Sequence, residues 1–391
     1  MSSFRRSLAM VLLPLGLLAA CGGGSGSGSS PVASPTPAPT ETPTPGTADF
    51  SAFEREIQAF VDEREDVEGA GAIVVDRARG VVYRHAFGTF SEDRVYLLAS
   101  SSKMITAGVL MRLADQGLLD VDAPVADAVA WGAGNPSITP AQLLSNSSGL
   151  VGLRPNPGYR PYFCQYLWTG TIQDCAAAIF TGDGDDADVI PPDTTFRYGG
   201  AQWQVAGGLA EAVTGRSWAD LVRETYVEPC GLRTLAYNNH FAQFVTGVTG
   251  YPAGFDADPA NLRATDNPNM EGGAYSDLDD YAKLLLMHLR GGTCDGGRVL
   301  SEEAVRRMRV DRLAAWGGST GAGFEGYGFG WWIDRENPAL AIDPGAYGAV
   351  PWIDEERGYA AFLALEATDS VGLQLFGRVL PLANAAIDAS R

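Results

Sequence analysis

Lysine is nearly missing from this sequence. Of 28 basic residues in 391, only Lys103 and Lys283 are lysines; the other 26 are arginines. Histidine is almost as scarce, with His85, His240 and His288, and no C-x-x-C pair occurs. A His/Cys metal site therefore has little to draw on, and no metal or organic cofactor is implied. Basic charge is short overall: 47 acidic residues give a formal net charge of −19. That excludes charge-driven binding to nucleic acid or to an anionic membrane surface, since both need a basic face. Long apolar runs are also lacking. The longest, residues 8–20, has 13 residues, too short to span a bilayer but the length of a signal h-region.

What is present divides the chain. Arg5 and Arg6 precede that apolar run, and residues 1–20 read as an export signal. The run ends in Leu18-Ala19-Ala20-Cys21, which resembles a bacterial lipobox; cleavage before Cys21 and acylation of its thiol are the expectation. Residues 21–48 are Gly, Ser, Pro and Thr with almost no large apolar residue. Such a segment cannot offset the entropy of ordering and reads as a lipid-anchored tether. Residues 49–391 are the folded domain, which the tether would hold in the cell envelope, in the periplasm or on the outer surface. Four cysteines remain there. Export favours pairing, with Cys164–Cys175 as a local staple and Cys230–Cys294 as the second bond; metal ligation is the weaker rival.

Periodicity gives the architecture. Helical spacing appears over 50–61, 101–117, 202–214, 218–228, 277–289 and 301–309, with a last helix within 368–389. Runs 71–76 and 81–87 around Arg77-Ala78-Arg79-Gly80 predict an antiparallel hairpin; 328–333, 346–353 and 359–365 read as strands. There is no βαβ alternation and no internal repeat. The fold class expected is α+β: one antiparallel sheet from about 49–100 and 310–391, flanked by terminal helices, with an all-helical lobe, about 101–309, inserted. A cleft between the two is the natural site.

Ser100-Ser101-Ser102-Lys103 opens the 101–117 helix and contains S-x-x-K. Residues three apart share a helix face, so Lys103 can reach Ser100. A serine hydroxyl needs a base, and a lysine can serve where an arginine cannot. In a chain that uses arginine almost everywhere, a lysine at that spacing is informative. Gly317-Gly318-Ser319-Thr320-Gly321 matches G-x-S-x-G, but no histidine follows residue 288, so the α/β-hydrolase order fails.

Residues 97–107 and 113–125, then Leu143-Leu144-Ser145-Asn146-Ser147-Ser148-Gly149-Leu150, Tyr198-Gly199-Gly200, 267–281, 326–332 and Asp343-Pro344-Gly345-Ala346-Tyr347-Gly348, resemble the serine β-lactamase-related superfamily: class C β-lactamases, DD-peptidases and esterases of that fold. The resemblance implies Ser100 as acylated nucleophile, Lys103 as base, Tyr198 as second acid/base group, and the Ser100 and Ala346 N–H groups as oxyanion hole. It also places Asn146, Gly200, Asp343 and Gly345 at substrate-binding positions.

Two departures matter. Gly200 stands where the family's Y-x-N has Asn, and Asp343 stands where K-T-G or H-x-G carries a cation. Losing that cation disfavours a substrate carboxylate. The expectation is a monomeric serine hydrolase acting on neutral esters or amides, with a β-lactamase or DD-peptidase as one alternative and a catalytically lapsed envelope binding lipoprotein as another. The insertion 151–190 is expected to border the cleft.

Overall fold

The computed structural model describes residues 46–153, 159–182, 188–244 and 251–391. The export segment, Cys21 and the tether up to residue 45 lie outside the described residues.

Helix α1 (Ser51–Asp62) buries Phe53, Ile57, Phe60 and Val61, the stripe its spacing predicts. It leads into the hairpin β1 (Gly69–Asp76) and β2 (Gly80–Gly88), where the Asp76 carboxylate accepts from the N–H groups of Ala78 and Arg79 and closes the turn. Every residue of β1 is buried, as expected of a strand covered on both faces. The remaining sheet strands come from the chain end: β3 (Gly326–Tyr327), β4 (Trp332–Ile333), β5 (Leu340–Ile342), β6 (Val350–Asp354) and β7 (Tyr359–Leu365). Their spatial order is β2-β1-β7-β6-β5-β4-β3. The two ends join where β1 pairs antiparallel with β7, Ile73 opposite Phe362. This is the expected α+β fold.

One sheet face packs on α1 and the C-terminal helix Asp369–Ala389, through Val74, Trp352 and Leu363 against Leu375 and Val379. The other face carries Ile73 and Phe362 and meets the helical lobe, where the Tyr281 ring stacks on Phe362 at 4.2 Å. Burying each such large apolar side chain is worth about 1.5–3 kcal/mol, so this two-sided core dominates stability.

Three elements differ from expectation. The 101–117 helix begins with a 3-10 turn, Ala99–Ser102, and only Lys103–Asp115 (α2) is α-helical. The 328–333 strand breaks between Tyr327 and Trp332, where Gly330 turns the chain at φ +80°. The 346–353 strand starts at Val350, because residues 343–349 form a turn closed by Gly345 N–H donating to the Ala349 carbonyl at 2.7 Å. Both expected disulfides, Cys164–Cys175 and Cys230–Cys294, are formed.

Candidate active site

Three consecutive serines meet three different surroundings. Ser101 and Ser102 are fully buried, whereas Ser100 is half-exposed. Ser102 Oγ donates to the Ala99 carbonyl at 2.6 Å, and Ser101 Oγ donates to the Asp343 carbonyl at 2.6 Å. Their hydroxyls are spent on holding the turn; that of Ser100 meets Lys103 instead. Ala99 sits at φ +46°, a left-handed conformation that costs a non-glycine residue about 1–2 kcal/mol. A sharp turn of this kind lifts the next side chain clear of the backbone. The carbonyls of Ser101 and Ser102 accept from the hydroxyls of Tyr281 and Tyr237, so the strained turn is fixed from below.

Lys103 Nζ donates to Ser100 Oγ at 3.0 Å. The nitrogen lies 4.5 Å from the Tyr198 ring centre, and the Tyr198 hydroxyl interacts with both Ser100 and Lys103. The structure thus brings Ser100, Lys103 and Tyr198 together. Burial alone would lower Lys103; Tyr198, Glu271 and Asp343 outweigh it and hold the ammonium above the ordinary lysine value. Burial raises the Tyr198 phenol, and Lys103 partly offsets this. The backbone N–H groups of Ser100 and Ala346 have no acceptor among the described residues. Two free donors beside a nucleophile are what an oxyanion requires.

The residues expected to bind substrate are placed differently. Asp343 is fully buried: Oδ2 accepts from Met104 N–H at 3.1 Å, in the first turn of α2. A carboxyl is favoured there by the exposed N–H groups of the helix start, so Asp343 turns inward rather than into the cleft. Burial pushes its carboxyl well above the usual carboxylate range. Gly345 is buried too, and a Cβ there would lie 2.1 Å from the Leu98 carbonyl; only glycine lets the 343–349 turn approach the strand before Ser100. Asn146 is fully enclosed, its Oδ1 accepting from Gln202 at 2.7 Å and Trp203 at 3.1 Å. Through these contacts, and its carbonyl accepting from Arg197 N–H at 2.8 Å, it pins the loop carrying Tyr198.

Gly200 has the most informative surroundings. A Cβ there would stand 2.2 Å from Glu271 Oε1. The space of the absent side chain is filled by this carboxyl and by the Gln165 amide, whose Oε1 would also stand 2.2 Å away. Glu271 Oε2 lies 3.3 Å from Lys103 Nζ, and the Glu271 carbonyl accepts from the same nitrogen at 3.1 Å. Tyr166 Oη donates to Glu271 Oε1 at 3.3 Å, which sets the turn Arg160–Tyr166, inside the 151–190 insertion, beside the site. Glu271 is the residue at this site that the sequence reading missed. Its signal was available: it is the charged residue of the 267–273 block, and Gly200 left a space to be filled.

Aromatic rings form two walls. Phe196, Tyr198, Tyr327 and Trp332 pack with centres 5.2–6.3 Å apart. Phe241 stacks on His240, whose Nε2 pairs with Tyr347 Oη at 3.0 Å, next to Ala346. A separate cavity of about 880 Å³, lined by Glu211, Trp218, Val222 and Tyr237, takes in none of Ser100, Lys103 and Tyr198.

Comparison with known proteins fits this geometry. The Beta-lactamase family model matches residues 53–375. The chain belongs to the beta-lactamase family. It is 28 % identical over 350 residues to penicillin-binding protein 4 of Amycolatopsis lactamdurans, covering 84 % of this chain and 87 % of that one. It is 28 % identical over 193 residues to esterase EstB of Burkholderia gladioli, covering 43 % and 44 %. Among solved structures, a penicillin-binding protein homologue from Caulobacter crescentus superposes with TM-score 0.67 at 20 % identity, over 87 % of this chain and 99 % of that one. The hydrolase EstCE1 superposes with TM-score 0.66 at 20 % identity, over 84 % and 98 %. This is a hydrolase of the β-lactamase fold whose relatives include esterases and penicillin-binding proteins.

Proposed function

We propose that the chain is a serine hydrolase that forms an acyl-enzyme on Ser100 and acts on neutral esters or amides. The observation that carries this reading is the contact of Lys103 with Ser100 at 3.0 Å, with Tyr198 against both. Ser100 Oγ attacks the substrate carbonyl and its proton passes into the Lys103–Tyr198 pair. The carbonyl oxygen, now negative, rests on the N–H groups of Ser100 and Ala346. The pair returns the proton to the leaving group as its bond to the acyl carbon breaks. Water repeats the sequence: it adds to the acyl carbon, gives its proton to the pair, and releases the acid as Ser100 Oγ recovers its proton.

Preference for neutral substrates rests on the third motif. Asp343 supplies no cation, and its inward orientation leaves the backbone of the 343–349 turn to meet substrate. A substrate carboxylate at that point would lose its hydration without gaining a charged partner. The test is hydrolysis of p-nitrophenyl acetate and butyrate by the wild type and by Ser100→Ala, against hydrolysis of a chromogenic cephalosporin. Ester turnover lost in the variant supports the reading. A second reading, penicillin binding, is favoured by similarity to the Amycolatopsis protein along most of both chains. Stable acylation by penicillin would move the assignment there.

We further propose that the domain is exported and held by a lipid at Cys21. Two disulfides support this, because such bonds persist in oxidising compartments.

A further inference from the structure

The contacts of Lys103 do not by themselves choose its protonation state. As an ammonium, Nζ would give one proton each to Ser100 Oγ, the Glu271 carbonyl and Glu271 Oε2. As an amine it would give two to Glu271 and turn its lone pair to Ser100. Charge decides between them. The Lys103 and Glu271 side chains are 0 % and 6 % exposed, so their attraction is little screened by water. An amine beside a buried carboxylate leaves that charge without one of opposite sign, which burial makes unfavourable.

We propose that Glu271 is a positioning residue that sets the pH at which the Lys103–Tyr198 pair can accept the Ser100 proton: its carboxylate retains the pair's proton and poises the enzyme to work on the alkaline side of neutrality. The inference rests on the reading of Ser100, Lys103 and Tyr198 as the reacting groups. Lys103 and Tyr198 share one removable proton, so the relevant quantity is the pair's apparent pKa, whichever atom loses the proton. An anion against the pair raises that value.

The other groups facing the pair come from separate elements. Asp343 approaches from the turn after β5, but its own burial pushes its carboxyl towards the neutral form. Tyr327 on β3 faces Tyr198 and Glu271, and Tyr166 and Tyr347 face Glu271; burial raises all three phenols. Glu271 is the carboxyl in direct contact with the pair, its Oε2 3.3 Å from Lys103 Nζ. Its place is made by Gly200, since any Cβ at that position would crowd Glu271 Oε1 and Gln165 Oε1 alike, each 2.2 Å away.

The scarcity of lysine gives a direct test. With ¹³C-lysine label the protein shows two ε-carbon resonances, and Lys283→Arg assigns them. Lys103 is expected to lose its ammonium shift at higher pH in the wild type than in Glu271→Gln. The acid limb of kcat/KM for a neutral ester is expected to move to lower pH by about one unit or more in Glu271→Gln, and in the same direction in Gly200→Ala, which displaces the carboxylate without removing it. Glu271→Asp should restore part of the shift. A wild-type Lys103 that titrates near neutral pH, or equal Lys103 titrations together with equal acid limbs in wild type and Glu271→Gln, would overturn the inference. A protein that hydrolyses nothing but shows the expected lysine titrations would instead remove the proposed function and leave the charge coupling standing.

Discussion

The Ser101 hydroxyl donates to the Asp343 carbonyl at 2.6 Å, tying the turn that carries the nucleophile to the loop that carries the Ala346 N–H. Both halves of the proposed oxyanion hole are thereby registered by one buried bond between residues 242 positions apart. Ser101→Ala leaves that carbonyl without its partner and should cost about 1–3 kcal/mol in urea unfolding. It should lower kcat more than it raises KM, because the loosened donors matter most when the oxyanion forms. An unchanged kcat with reduced stability would make the bond purely structural.

Tyr198→Phe removes one hydroxyl and keeps the ring that packs on Phe196, Tyr327 and Trp332. The thermal midpoint should change little while kcat falls about 10²–10⁴-fold, the usual contribution of a proton-transfer group. Activity within a few-fold of wild type would exclude Tyr198 from the proton path.

Removing Lys103 has a different signature. Lys103→Ala strands the Glu271 carboxylate, so about 3–5 kcal/mol of stability should be lost along with activity. Lys103→Ala combined with Glu271→Ala should recover much of that stability and none of the activity. Denaturant melts of the two variants separate the structural cost from the chemical one.

His240 and His288 are fully buried, and burial lowers each to about 3. Their folded values lie below the ordinary histidine value of about 6.5, so the unfolded chain binds more protons between these limits. Stability should be intact above pH 6.5 and fall as the pH drops towards 3, by about 1.4 kcal/mol per unit for each histidine. Urea melts from pH 7 to pH 5 measure this slope, and His288→Gln should flatten it. A slope unaffected by that substitution would contradict the assignment.

The disulfides should contribute unequally. Cys230–Cys294 closes a sequence separation of 64 and Cys164–Cys175 one of 11. Chain-entropy reasoning gives about 4 and about 3 kcal/mol respectively. Paired Cys→Ser variants should rank in that order in chemical denaturation. Because Cys164 lies in the turn that ends at Tyr166, its loss should also alter KM for esters; Cys230→Ser/Cys294→Ser should not.

The framework was legible because its signals are short-range. Continuous apolar runs at 72–75 and 359–365 mark the two strands that join the chain ends, and S-x-x-K places its own two residues on one helix face. Glu271 was harder to read, since it reaches Lys103 across 168 residues and its signal, a lone charge in the 267–273 block, does not say which residue it meets. Asp343 was placed at its motif position in the chain, but the direction of its side chain was not legible. Motif position says where a backbone runs; the pull of the α2 N–H groups decides where the carboxyl points. The strand limits at 328–333 and 346–353 slipped for a related reason: Gly330 and Gly345 permit close backbone approaches that alternation does not encode.

The central claim, an acyl-enzyme on Ser100, is tested most directly by intact mass of residues 49–391 after brief exposure to a p-nitrophenyl ester, with Ser100→Ala beside it. The account predicts a mass increase equal to one acyl group, mapped to the peptide holding Ser100 and absent from the variant. No adduct and no turnover in the wild type, or an adduct of equal yield in Ser100→Ala, would contradict it.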